Sequence, residues 1–377
     1  MKHQTISHGN SAILARIVET IQAFWTGFVQ PTRFALLLMI ATFTAGALAM
    51  GLGITPSTLA GRLGDYIPSN FADSDAFLTV RMFRMAEDKT PPDSNPNLYA
   101  VGDSLLAHAF ASETGLEAAL QTTTGRKWHA AMLTTPQQMV LDSSALIDVA
   151  TKKDPGIVVM AFGAGRLTAD KAGELHSYRL ARLGFRSKWQ DEQVRLLGEK
   201  PRRVTGNYVM DNRNFLLRNT ADAVRNLLYF GPPVRRIDAY TIGIHLSPKE
   251  WETFHDTVLS DLRNAASHPN PTTIRLLEDT ARRLEARGNK LIIFEPPISD
   301  RTFTRQSDRR DYQNYLKLAA QLTARLGGYY CFPSDVHPPV SAFADFHHVT
   351  DPYWQGRLRV ALAKCVEDAT TSKGKQS

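Results

Sequence analysis

At 377 residues, with 43% hydrophobic and 21% charged side chains, the chain reads as globular, with one large domain or two, and not as disordered. The formal charge of +7 is mild, and the short basic clusters Lys200-Pro201-Arg202-Arg203 and Arg235-Arg236 read as solvated surface. No helix-turn-helix, finger spacing or aromatic-basic stripe supports nucleic-acid binding, so no nucleic-acid partner is expected.

Residues 1–33 are expected to be a cytoplasmic tail, with one amphipathic patch from Ile13 to Phe28. Phe34 to Ile54 is the one long uncharged apolar stretch, about 20 residues, the length of a bilayer-crossing helix. Lys2, Arg16 and Arg33 precede it against Glu19, and Arg62 follows it against Asp65, Asp73 and Asp75. Positive flanks stay in the cytoplasm, so the N-terminus is expected inside and the bulk of the chain outside. Gly46, Gly51 and Gly53 disfavour a buried core helix. A cleaved signal peptide, with Ala47-Leu48-Ala49 as its small-x-small site, is the alternative to an uncleaved anchor.

Residues 55–96 read as a juxtamembrane stalk with a short helix from Ala76 to Ala86, then the entry loop Thr90-Pro91-Pro92-Asp93-Ser94-Asn95-Pro96. From residue 97 short apolar runs alternate with helical periodicity. Strands are expected at Leu98 to Val101, Lys127 to Leu133, Ile157 to Phe162, Leu291 to Glu295 and Gly328 to Phe332. Helices are expected at Pro136 to Val149, Thr272 to Arg287 before Gly288, Asp311 to Arg325 before Gly327-Gly328, and Pro352 to Cys365. This alternation predicts an α/β domain over 97–368, a flavodoxin-like three-layer sandwich around a parallel five-stranded sheet. Strands three and four lie about 125 residues apart, far beyond an ordinary connection. That interval, about 168–270, reads as a helical insertion over Asp170 to Leu183, Asn214 to Tyr229 and Pro248 to Ala266, broken at Gly231-Pro232-Pro233. It is expected to form a lid or a polymer-binding wall near the site. Residues 369–377 are expected to be a disordered tail.

Two short strings carry the chemistry. Gly102-Asp103-Ser104-Leu105 directly follows the first strand. Gly102 permits a sharp turn that puts Ser104 at a helix N-terminus, where backbone N–H groups can meet an oxyanion. The plainer reading is that Asp103-Ser104 only caps that helix. Near the end of the chain, Asp345-Phe346-His347-His348 offers a base with a carboxylate close enough to fix its tautomer. In a parallel sheet ligands bind outside the carboxyl ends of the strands, so both strings are expected on one rim. A hydroxyl, a base and an orienting carboxylate are the minimum for nucleophilic acyl chemistry. Adjacent His347 and His348 without a completing ligand set do not predict a metal, and Gly163-x-Gly165 lacks the third glycine of a dinucleotide loop. No cofactor is expected. Glu295, ahead of Pro296-Pro297, ends the fourth strand on the same rim, where it either contacts substrate or sits in solvent or a salt bridge. Cys331 and Cys365 are the only cysteines. Export permits a disulfide between them that would tie the Asp345–His348 segment to the last helix; two buried thiols are the alternative.

The Gly102-Asp103-Ser104-Leu105 string, the Asp345-x-x-His348 string and their order resemble the SGNH (GDSL) hydrolase superfamily. The resemblance runs over residues 97–366 and selects His348 over His347 as the base. It implies Ser104 as nucleophile, His348 as base and Asp345 as its partner. The middle blocks depart from the family. Ala130-Ala131-Met132-Leu133-Thr134-Thr135 has no glycine, and Gly163-Ala164-Gly165-Arg166 stands where the family has Gly-x-Asn-Asp, so Gly165 replaces the oxyanion asparagine. Loss of one such donor costs roughly 100- to 1,000-fold in rate unless backbone amides or Arg166 compensate, which predicts sluggish hydrolysis. Gly102, Asp103, Gly163, Gly165, Arg166 and Glu295 are therefore the expected oxyanion or binding residues. With the anchor and the insertion, the chain looks like envelope-tethered members of the superfamily. These imply a bacterial inner-membrane protein with a periplasmic domain that moves acyl groups, acetyl being the one expected, onto an exopolysaccharide such as cellulose. A multi-pass membrane acyltransferase would be the acyl donor. An acetylesterase of the same fold and a non-catalytic polymer-binding or assembly subunit are the rival readings.

Overall fold

The computed structural model describes residues 53–63, 75–88, 94–220, 236–237 and 247–371, with shorter helical stretches between residues 16 and 45. Five strands, β1 (Asn97–Gly102), β2 (His129–Thr134), β3 (Gly156–Met160), β4 (Lys290–Phe294) and β5 (Tyr329–Cys331), form one sheet in the order β2-β1-β3-β4-β5. Every pairing is parallel. Leu98 to Val101 in β1 and Ile157 to Met160 in β3 are buried at successive positions. Because neighbouring side chains on a strand point to opposite faces, unbroken burial means that both faces are covered.

The covering helices are α1 (Asp75–Glu87), α2 (Ser104–Phe110), α3 (Glu113–Thr124), α4 (Val140–Ala150), α5 (Ala164–Thr168), α6 (Lys171–Arg179), α7 (Lys188–Leu196), α8 (Pro248–Ser267), α9 (Pro271–Ala286), α10 (Gln306–Arg325) and α11 (Pro352–Thr371). α11 packs on α2 and α3, whereas α4 packs on α1, α6, α7 and α9. The strand order reverses between β1 and β3, and such a switch point opens a crevice at the carboxyl ends of those two strands. Cys331 at the end of β5 is bonded to Cys365 of α11, with Cα atoms 6.0 Å apart.

The expected strands all form, with ends shifted by one or two residues. Four expectations change. The helix at Asp75–Glu87 is not a stalk: Phe77, Leu78, Thr79, Val80, Met82 and Phe83 are buried, so its apolar side is core. The helix expected from Pro136 starts only at Val140, because Gln137 takes a left-handed conformation (φ 55°) and Thr135 to Gln138 form a turn. Lys188–Leu196 is a helix that the sequence reading missed; it starts where Ser187 Oγ accepts the Gln190 N–H. The last helix runs through Thr371 rather than fraying at residue 369, and Ala369 O accepts a hydrogen bond from Lys290 Nζ at 2.9 Å. Most of the helix expected over Asn214 to Tyr229 and the break at Gly231-Pro232-Pro233 lie outside the described residues.

Residues 36–42 and 44–45 of the apolar stretch 34–54 are helical, and the rest of it is largely outside the described residues. Among the described residues no helix is long and apolar enough to cross a membrane.

Candidate active site

Ser104 is the first residue of α2, directly after β1 and the turn at Gly102 and Asp103. A Cβ at Gly102 would meet Leu106 Cδ1 at 3.0 Å, so the turn is tight against the helix it feeds. Asp103 is the N-cap: its Oδ1 accepts the Leu105 N–H at 3.0 Å. That donor is thereby engaged and is not available to a substrate.

Asp345, His347 and His348 sit on a short loop closed by the Phe343–Val349 bridge and by the Ala344 N–H to His348 O hydrogen bond of 2.9 Å. Asp345 Oδ1 accepts the N–H groups of both His347 (2.9 Å) and His348 (2.8 Å). Its Oδ2 lies 2.6 Å from His348 Nδ1, and His348 Nε2 lies 2.8 Å from Ser104 Oγ. This pattern assigns the proton to Nδ1, leaving Nε2 to accept the Ser104 hydroxyl proton. Burial works against the Asp345 charge, but the hydrogen bond from His348 and the fields of His347 and His348 outweigh it and hold the carboxyl well below its usual range. Such a chain can deprotonate a serine hydroxyl and return the proton to a leaving group.

His347 does not join this chain. Its ring meets Phe254 edge-on at 5.1 Å, and burial, then the neighbouring His348, push its pKa down to about 3. Asp345, His347 and His348 do bring one ligand atom each within 4.8 Å of one another. Both Asp345 oxygens are already engaged by hydrogen bonds, and His348 is shared between Asp345 and Ser104, an arrangement built for proton transfer.

The serine opens onto a cavity of about 530 Å³, lined by residues that include Asp103, His347, His348, Gln137, Met139, Gly165, Phe254, Val258 and Asp261. The insertion contributes a wall through α8, whose Phe254, Thr257, Val258, Asp261 and Leu262 recur at one helical face. α8 starts at a capping box: Ser247 Oγ accepts the Glu250 N–H and Glu250 Oε2 accepts the Ser247 N–H.

The other expected binding residues divide. Gly163 follows β3 with φ 62°, a conformation that favours glycine, beside Asp103 and Leu105. Arg166 is not poised as an oxyanion donor. Its side chain is buried beneath the serine turn, with Nη1 donating to Ala161 O at 3.0 Å and Nη2 lying 3.3 Å from Asp103 Oδ2. It braces Asp103 instead. Glu295 is buried at the wall of the cavity and forms no salt bridge with a basic residue among the described residues; it accepts the Phe162 N–H at 2.7 Å and the Tyr315 hydroxyl at 2.8 Å. Burial pushes its carboxyl up to about 7 despite those two bonds.

Sequence reasoning missed Asp261 and Gln137. A Cβ on Gly165 would lie 2.7 Å from Asp261 Oδ2, so the carboxylate occupies the space that a side chain at 165 would need. The period of α8 places Asp261 among the inward positions, but nothing local says what it faces. Gln137 stands in the loop after β2, where the sequence offers no glycine to take a positive φ.

No family model matches the chain, and no curated protein matches it. Among solved structures, a lipase/acylhydrolase from Enterococcus faecalis is similar at 12% identity and a TM-score of 0.33, over 73% of this chain and 96% of that one. A gut microbial diltiazem-metabolizing enzyme is similar at 8% identity and a TM-score of 0.26, over 66% of this chain and 38% of that one.

Proposed function

We propose that this protein is an SGNH-type O-acyltransferase that carries an acyl group, acetyl in the simplest case, on Ser104 and delivers it to a hydroxyl of an extracellular polysaccharide such as cellulose. The observation that carries this reading is the hydrogen-bond chain from Ser104 Oγ through His348 to Asp345, facing an open cavity. Ser104 attacks the donor carbonyl as His348 takes its proton. The tetrahedral intermediate collapses, the donor group leaves with that proton, and an ester on Ser104 remains. A sugar hydroxyl then attacks the ester, gives its proton to His348, and Ser104 recovers a proton as the sugar ester departs.

The asparagine donor is absent at Gly165 and Arg166 does not replace it, which slows transfer to water and to a sugar alike, so the preference for a sugar acceptor rests on the cavity wall. The insertion lines the site with a helix face that includes the aromatic Phe254. The non-catalytic reading has no use for a serine, histidine and aspartate held in hydrogen-bond register.

The same proposal places the protein in a bacterial inner membrane, N-terminus inside, with a multi-pass acyltransferase as donor. Its support is the charge asymmetry around 34–54 and the exposed apolar side chains of Leu36, Leu37, Met39 and Ile40 within that stretch.

The test is direct. Purified protein treated with an activated acetyl ester is expected to gain one acetyl on Ser104 by intact mass, and an added oligosaccharide is expected to speed its release and become acetylated. Rapid turnover by water with no sugar product would make the protein an esterase. Unchanged polymer acetylation in cells carrying Ser104→Ala would make it a non-catalytic subunit. A C-terminal alkaline phosphatase fusion is expected to be active; an inactive one beside a fluorescent cytoplasmic fusion would remove the topology.

A further inference from the structure

Asp261 is the unexplained group of the cavity. It sits on α8 between Val258 and Leu262, both buried, and its own side chain lines the cavity with Ser104, His347 and His348. Among the described residues its one hydrogen bond to a side chain is long: Thr168 Oγ1 donates to Oδ1 at 3.5 Å. No ion pair joins it to a basic residue among the described residues. Burial raises its carboxyl above the usual value, and the Thr168 hydroxyl only partly offsets that.

The other charges of the cavity do not compensate it. Arg166 is the one lysine or arginine among the described lining residues, and it is turned beneath the serine turn toward Asp103 and Ala161. His347 is neutral at pH 7, since burial and His348 push it down to about 3. An approaching ligand therefore meets a carboxylate with spare acceptor capacity and no accessible arginine or lysine to receive an anion.

Gly165 is the second residue of α5, and a Cβ there would lie 2.7 Å from Asp261 Oδ2, so the carboxylate would have to move aside. An acceptor from the inserted helix thus stands where a side chain at 165 would reach.

We propose that Asp261 is a specificity-determining residue of this site. Its carboxylate accepts a hydrogen bond from a hydroxyl or amine of the incoming acceptor, so the site takes neutral or cationic sugars and rejects anionic ones such as uronates. The inference rests on the acyl-transfer reading above. Asp261 takes no part in the proton balance of the transfer: the acceptor oxygen bonds to the acyl carbon, the Ser104 ester bond breaks, and the proton passes through His348. A like charge brought beside an unpaired carboxylate is repelled, and the repulsion weakens as salt screens it.

The experiment uses the full chain, acetylated on Ser104 with an activated ester and confirmed by intact mass before any acceptor is added. A neutral glucan oligosaccharide, an amino-sugar oligomer and an oligo-uronate of equal length are then compared by kcat/KM. The glucan and the amino sugar are expected to be acetylated and the uronate to be poor, its rejection relaxing at high salt. Asp261→Asn, close to isosteric, is expected to shrink the glucan-over-uronate ratio by about tenfold or more. Gly165→Ala, which pushes the carboxylate aside, is expected to shift the ratio the same way and stands in if Asp261→Asn fails to fold. A ratio unchanged in both folded variants overturns the proposal, as does a wild-type protein that takes uronate as readily as glucan. Failure to acetylate Ser104 at the first step overturns the acyl-transfer reading itself, and is seen before Asp261 is tested.

Discussion

Ser104 Oγ and His348 Nε2 lie 244 residues apart in the chain and 2.8 Å apart in space. One follows β1 and the other belongs to the loop after β5. All five strands run parallel, so both loops emerge at the carboxyl edge of the sheet.

Ser104→Ala and His348→Ala are each expected to abolish acyl transfer. Asp345→Asn is expected to leave the fold intact but favour the wrong imidazole tautomer, with a loss on the order of 10,000-fold by analogy with the serine protease triad. His347→Ala, whose ring is outside the hydrogen-bond chain, is expected to keep most activity. Single-turnover acetylation of Ser104 followed by mass checks all four.

Cys331 and Cys365 close a 34-residue loop that carries Asp345 and His348. Thiol labelling of unreduced, denatured protein is expected to find no free thiol. The double Cys→Ser variant is expected to lose about 2–4 kcal/mol of stability, read as a lower denaturant midpoint.

Arg182 clamps the cavity rim. It donates to Asp75 Oδ1 at 2.9 Å and Oδ2 at 3.1 Å, and to the carbonyl oxygens of Pro136 (2.7 Å) and Gln137 (2.9 Å). Arg182→Ala frees the loop bearing Gln137 and leaves Asp75 with the Thr135 hydroxyl at 2.9 Å and the more distant Arg218 at 3.4 Å. Loss of about 3 kcal/mol is expected, together with slower Ser104 acetylation. Lysine cannot reproduce the forked contact, so Arg182→Lys is expected to rescue only part of it.

The buried Glu295 carboxyl makes stability depend on pH. Its pKa rises from an ordinary 4.5 to about 7 on folding, chiefly through burial. Between those values the folded state holds a proton that the unfolded state has lost, so stability falls as pH rises through the window and levels off above it. Glu174 is raised to about 7 in the same way, by burial. Glu295→Gln, which keeps an acceptor for the Phe162 N–H, is expected to flatten part of this slope and to leave the part due to Glu174. Urea midpoints measured from pH 4.5 to 7.5 would show it; an unchanged slope would refute the assignment.

The sequence by itself determined the strands, the serine turn and the Asp345–His348 pair. Apolar runs such as Leu98 to Val101 can only be buried strands in this setting, and a carboxylate three residues before a histidine closes through local backbone geometry. Only the tertiary structure decided the roles of residues whose partners are remote in sequence. Arg166 read as a substrate donor and became a brace for Asp103; Glu295 read as a rim carboxylate and became a buried acceptor for Phe162 and Tyr315. The stalk helix became core because its buried side has Phe77, Leu78 and Met82 to hide. Asp261 was invisible for the same reason. Periodicity says which side of α8 turns inward, but only the packing of that helix over the β3 turn says that its carboxylate fills the space left open at Gly165.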